Sequence, residues 1–258
     1  FDPQYFKNEL ADLPAFAKWR EQAANLPEVL NSPDDVTLCI AAIPSLKSTM
    51  DLWFGSHRPL EREAVQRLIR DNNKDAATGT DYFICDVECV QRLVDGSDAR
   101  FDFIGVRWPS VAHVRRNPRN LELVFGEAKY GPGAIKGSAG LLAHMQDVAA
   151  LVNDRKSLDR LKKRMKQVFD QKLKLGLIDN KNTIESFADT KPIWLLVFAN
   201  HDPESSKLGE AIEEIASVPA FPATIKIAIA NFMGYGLFDQ AIYELSEFRS
   251  HFGKHIRA

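Results

Sequence analysis

The sequence predicts an α/β protein: a central mixed β-sheet flanked by helices, with a helical extension ahead of it. Three observations predict it. Between residues 81 and 129, three runs rich in β-formers follow one another, and Asp95-Gly96-Ser97 supplies a hairpin turn between the first two. Residues 192–200, Pro-Ile-Trp-Leu-Leu-Val-Phe-Ala-Asn, are almost wholly apolar, the pattern of a strand buried on both faces. Helical periodicity fills the stretch before that run and the gap to a further strand at 224–232, and strand–helix–strand successions make parallel crossovers. The expected division is an N-terminal extension, 1–58, and an α/β domain, 59–258.

Taken in order, residues 1–30 carry Tyr5, Phe6, Leu10, Leu13, Phe16, Trp19 and Leu26 at helical spacing around Pro14. Val36–Ile43, bounded by Pro33 and Pro44, reads as a short strand, and 45–58 as a loop or short helix. Pro59 opens a helix with Leu60, Ala64, Leu68 and Ile69 on its inner face, and Glu61 and Glu63 suit its positive end. A polar turn at 72–80 leads to the first core strand, 81–90. Strict alternation there puts Asp86 and Glu88 on one face and Cys85, Val87 and Cys89 on the other. The second strand is 101–108, the third 121–129. A helix follows at about 138–153 and a basic amphipathic one at 155–175. The buried strand at 192–200, a helix from Asp202 to about 216, the strand at 224–232 and a tail helix to about 252 complete the chain.

The 258 residues are 45% hydrophobic, enough for a full core. The three cysteines, Cys39, Cys85 and Cys89, lack zinc spacing and sit in apolar, strand-like runs. They read as reduced core residues of a cytoplasmic protein. No apolar run reaches membrane-spanning length, and no signal peptide is evident. The net charge of −2 excludes a global basic signature, so any nucleic-acid contact must be a local patch.

Chemistry concentrates at Glu127-Ala128-Lys129, the end of the third strand. Side chains two apart on a strand share a face, and a buried carboxylate is costly unless paired or holding a metal. If the second and third strands are antiparallel neighbours, Asp102, near the start of one, falls beside the end of the other. Two carboxylates and an ammonium then converge, a donor set that suits Mg²⁺. A plain structural Glu–Lys pair is the alternative.

This Asp followed by Glu-x-Lys on adjacent strands resembles the PD-(D/E)XK nuclease superfamily, whose restriction-endonuclease-like core runs helix, three antiparallel strands, helix, strand. The resemblance covers roughly residues 59–201. Phe101 stands where the family's nominal signature has proline. It implies a Mg²⁺-dependent hydrolase of nucleic-acid phosphodiesters, an (endo)deoxyribonuclease with DNA the favoured substrate and Mn²⁺ as a substitute. It implies Asp102, Glu127 and the Ala128 carbonyl as metal ligands, and Lys129 orienting the attacking water. Gln146, on the following helix, matches a family glutamine directed at the site, whereas His144 reads as a surface or part-buried histidine. Glu63, taken as nearer the inner face than Glu61, is the helix carboxylate that would join the ligands, and Glu88 a further acidic addition. Each also reads as a solvated surface group.

Phosphate contacts are expected from Arg115 and Arg116 on the loop before the third strand, from Lys136 in the glycine-rich 130–140 segment, and from Lys162, Lys163 and Lys166 on the basic helix. That segment lacks the order of a Walker loop, and no helix-turn-helix or zinc finger is recognisable. Many family members dimerise to cut both strands, so a homodimer is one expectation, and a bacterial defence or restriction setting fits by analogy. The other reading is a catalytically silent nuclease-fold module that binds nucleic acid or a partner protein.

Overall fold

The computed structural model describes residues 5, 14–57, 60–75, 79–131, 135, 140–230 and 234–253. They fall in two compact units, Phe1–Pro59 and Leu60–Ala258.

The first unit holds two helices, α1 (Pro14–Ala24) and α2 (Pro33–Ser56). Here the expectation of a strand at 36–43 is corrected, and the segment after it, expected as a loop or short helix, continues the same helix. The reason is local. Ser32 caps the helix: its hydroxyl accepts the Asp35 N–H while the Asp35 carboxylate accepts the Ser32 N–H, and Pro33 occupies the first turn, where no amide is missed. That start signal outweighs the β-branched run behind it, and Pro44 is carried inside the helix. Cys39 is therefore helical.

The second unit is built on one six-stranded sheet in the order β1 (Tyr82–Arg92), β2 (Asp98–Arg107), β3 (Glu122–Tyr130), β4 (Ile193–Ala199), β5 (Thr224–Ala230) and β6 (Ile242–Glu244). β1, β2 and β3 are antiparallel in succession, β3, β4 and β5 parallel, and β6 antiparallel to β5. Helix α3 (Leu60–Arg70), continued by a π-helical turn at 71–75, precedes β1, and the short α4 (Ala112–Arg115) lies in the β2–β3 connection. Helices α5 (Leu141–Asn153) and α6 (Arg155–Lys174) carry the chain from β3 to β4, and α7 (Ser206–Ala216) carries it from β4 to β5. β4 is buried at every position, as its apolar run predicts. The tail is split between β6 and α8 (Leu245–Phe252), where one helix was expected.

Two cores sandwich the sheet. Helices α5, α6, α7 and α8 pack on one face, and α3 with Tyr235 and Leu237 covers the other. β1 does not keep strict alternation. A bulge follows Ile84, and Glu88 has a left-handed φ of 49°. Val87 and Phe103, paired across the strands, point into the core under α3. The next pair, Cys89 and Phe101, points into the core under α5–α8. The reversal falls at Glu88 and Asp102, so strand chemistry alone could not assign those faces. Cys85 and Cys89 are buried, and burial pushes the Cys85 thiol up to about 12. Among the described residues no helix is long and apolar enough to cross a membrane.

Candidate active site

Glu127 and Lys129 stand two apart on β3. Leu123 and Phe125, next in the same alternation, belong to the core under α5–α8, so both charged side chains enter that layer. They are 1% and 4% exposed. Lys129 Nζ lies 2.6 Å from Glu127 Oε1, and Nε2 of His144 on α5 lies 3.0 Å from the same oxygen. Both lie at hydrogen-bonding distance and both raise the pKa of the basic group, though neither donor is well aligned on this buried oxygen.

Asp102 arrives from β2. The ladder pairs Arg107 with Glu122 and ends at Phe103 with Gly126. One further step in that register sets Asp102 opposite Glu127. There β2 departs, and Asp102 Oδ2 accepts the Ala128 N–H at 2.8 Å in place of a ladder bond. The N–H and C=O of a strand residue face the same neighbour, so the Ala128 carbonyl also faces the Asp102 side. Gly126 permits this approach. A Cβ there would come within 2.0 Å of the Phe103 ring, which is fully buried.

The electrostatics follow from that crowding. Burial, then the Glu127 charge, push the Asp102 carboxyl up to about 7, opposed by the Ala128 N–H and Lys129, with Glu61 adding to the rise. Burial works against the Lys129 charge, but Glu127, backed by Glu61 and Asp102, holds its pKa above the ordinary lysine value. Contact with Glu127 raises His144, against burial. His201, just past β4, is 8% exposed, with burial lowering its pKa against a contact with the Lys129 backbone, and its Nε2 has no partner.

Asp102, Glu127, Ala128 and Lys129 thus come together. The others scatter. Gln146 is exposed on α5, and His144 takes the place expected of it. The buried residues Leu141, Met145, Val148 and Leu151 set the inner face of α5. His144 flanks that stripe, three residues after Leu141 and four before Val148, while Gln146 does not. Glu63 is exposed, and the carboxylate on the site side of α3 is Glu61, half-buried and felt by both Asp102 and Lys129. Spacing carried that signal too, since Ala64, Val65 and Leu68 are buried and Glu61 lies one turn before them. Glu88 is exposed and 3.5 Å from Arg62.

The expected phosphate contacts lie elsewhere. Arg115 is not an exposed loop arginine. Its guanidinium lies 4.6 Å over the Phe83 ring and donates to the Thr80 carbonyl, and burial lowers its pKa. Arg116 is exposed. Lys162 donates to the Ala188 carbonyl and Lys166 to the Glu185 carbonyl, while Lys163 is exposed. The Ala188 N–H in turn donates to the Leu121 carbonyl, and the Glu185 N–H to the Pro118 carbonyl. Lys162 and Lys166 therefore lie at the amino end of β3. Leu121 is six residues from Glu127, about 20 Å along a strand. The connection enters β3 at its start, whereas Glu-x-Lys closes it. Lys136 lies outside the described residues.

Among the described residues no group of three or more His, Cys, Asp or Glu side chains is arranged to hold a metal by itself. The pair that exists still fits a hard cation. Mg²⁺ takes one or two protein carboxylates and completes its shell with water and phosphate oxygens. Here two carboxylates in register repel one another, and one bears a buried oxygen without a well-aligned donor. Compared with protein-family models, with curated proteins and with solved structures, the chain matches none.

Proposed function

We propose that this chain is a Mg²⁺-dependent nuclease of the PD-(D/E)XK type, with Mn²⁺ able to substitute and DNA the favoured substrate. The observation that carries the reading is the buried Glu127 carboxylate, in register with Asp102 and pressed by Lys129. Burying Glu127 with Lys129 and crowding Asp102 beside them is expensive as a purely structural arrangement. It makes sense where a cation and a phosphate complete the site. The order helix, three antiparallel strands, helices, parallel strand, from α3 to β4, also supports the restriction-endonuclease-like assignment.

In this reading Asp102, Glu127 and the Ala128 carbonyl hold the cation. When bound, it supplies Lewis acidity toward the phosphodiester and lowers the pKa of the attacking water. To serve as a ligand, Asp102 would be ionised. Lys129 is held by Glu127 with its ammonium charged, where it orients the water and offsets charge developing on the phosphate. His144 braces Glu127 from the α5 side and excludes water from that edge.

The test is cleavage of plasmid, linear and single-stranded substrates with Mg²⁺ or Mn²⁺ by the parent, Lys129→Ala and Asp102→Asn. Activity confined to the parent supports the reading. Cleavage that survives both substitutions sinks it, as does a parent that cuts nothing.

A further inference from the structure

At the amino end of β3, two adjoining clefts of about 350 and 470 Å³ share Lys162 as a lining residue. Arg155 and Lys191 line the first, and Lys163 and Lys166 the second. Against these cations the linings carry two carboxylates, Asp189 and Glu185. Glu185 is engaged by Arg119 at 2.5 Å, and Asp189, 95% exposed, lies 3.6 Å from Arg155.

What holds these lysines in place is main-chain oxygen, as it is for Lys74 and Lys172. Lys174 is held by a carboxylate, Asp170, at 2.7 Å, which cancels its charge. In the clefts, Lys162, Lys166 and Lys191 instead donate to main-chain carbonyls, those of Ala188, Glu185 and Phe221, at 3.2, 2.5 and 3.5 Å. An ammonium has three donors. A carbonyl occupies one, fixes the direction of the side chain and leaves the charge unneutralised. The result is a row of oriented cations in a chain whose net charge is −2. Half-buried Phe187, packed in part against the core under α5–α8, also lines the second cleft, an aromatic edge beside these charges. A cationic groove with an interleaved aromatic ring is how proteins hold a single strand, phosphates on the cations and a base on the ring.

We propose that the groove between α6 and the 185–191 segment binds a single-stranded nucleic-acid segment, at a position separate from the Glu127–Lys129 site. The two lie about 20 Å apart, or about six stacked nucleotides at 3.4 Å each. If the hydrolase reading holds, the groove grips the substrate away from the cut, and oligonucleotides too short to span the gap lose affinity but not the chemical step.

The groove is tested by fluorescence anisotropy with a labelled 20-nucleotide single strand, without divalent metal and across a salt series. The parent is expected to bind, more weakly as salt rises. The variant Lys162→Gln/Lys163→Gln/Lys166→Gln should bind at least tenfold more weakly, with a salt slope shallower by about 2, from roughly 0.7 per lost phosphate contact. Phe187→Leu should weaken single-strand binding about tenfold through lost stacking. Lys163→Glu, at an exposed position, gives the same direction if the triple variant melts early. A parent that binds no oligonucleotide at low salt overturns the proposal. So do variants with parental affinity and slope, or duplex competing as well as single strand. Because no cleavage is needed, binding without hydrolysis would end the nuclease reading and keep the groove. Hydrolysis indifferent to the lysines would do the reverse.

Discussion

The two ends of β3 both carry clustered charge, and they differ in how that charge is satisfied. At the amino end, Arg107 reaches Glu122 and grips Asp239 with Nε at 2.9 and 3.0 Å and Nη2 at 2.6 Å. Tyr82 Oη donates to the same Asp239 carboxylate at 3.2 Å. These are forked, aligned bonds, the geometry that makes an ion pair hold a structure together. At the carboxyl end, Glu127 is more deeply buried, yet its Oε1 meets Lys129 and His144 without an aligned bond, and Asp102 is pushed toward neutrality. One cluster is complete in itself. The other keeps a buried oxygen without a well-aligned donor and a carboxyl pushed toward neutrality, and under the proposed function a cation completes it.

Substitutions can break that comparison. The largest expected effect is on activity: Glu127→Gln or Asp102→Asn should lower phosphodiester hydrolysis by about a thousandfold or more, roughly 4 kcal/mol of transition-state stabilisation, in steady-state assays. In Asp102→Asn, which removes a carboxylate that burial already disfavours, metal-free stability should not fall with it. Arg107→Met should do the opposite. It strands the Asp239 and Glu122 carboxylates and, allowing for their partial exposure, costs about 2–3 kcal/mol in urea unfolding, with unchanged turnover per folded molecule. Equal effects of both kinds at both ends would erase the distinction.

Metal sharpens it further. Mg²⁺ or Mn²⁺ at a hundred times its dissociation constant should stabilise the parent by about 2.7 kcal/mol, read as a rise in melting temperature, and should not stabilise Asp102→Asn. Gly126→Ala, which sets a methyl against the Phe103 ring, should cost about 1–3 kcal/mol whether or not metal is present.

The subtlest effect is on pH dependence. The folded pKa of Asp102, about 7, lies above its ordinary 3.8, so the folded state binds the extra proton between them. The stability this contributes is fully present below about pH 4 and is lost as pH rises through about 7, by up to about 4 kcal/mol. His144, also raised, adds in the same direction. Melting temperatures of the metal-free parent should therefore decline from pH 5 to 8, and Asp102→Asn should flatten that decline. A slope identical in the two proteins would place the proton elsewhere.

Much of this was legible in the chain. The fully apolar 192–200 run is β4, the turn at Asp95-Gly96-Ser97 joins β1 to β2 with Gly96 at φ 89°, and Asp102 meets the end of β3 as antiparallel pairing requires. Other expectations failed for identifiable reasons. The Val36–Ile43 run looked like a strand because β-propensity is weaker than a capped helix start. Glu63 stood ahead of Glu61 because the inner face of the helix was placed about half a turn off, and Gln146 ahead of His144 because residue type was weighed ahead of position on the helix. That Lys162 and Lys166 lie far along the sheet from the acidic cluster was not legible, because distance along the sheet is invisible in a one-dimensional pattern.

By itself the sequence determined the elements and their polarity: periodicity marks which face of a strand or helix is buried, and a charged pair at the end of an apolar strand must be satisfied somehow. The tertiary structure decided which charges meet. The register of β2 on β3, the reversal at Glu88 and Asp102, and the seating of α3 and α5 on opposite faces are set by packing between distant segments. No local preference encodes those contacts, so one end of β3 became a candidate active site and the other a strut and a cationic groove.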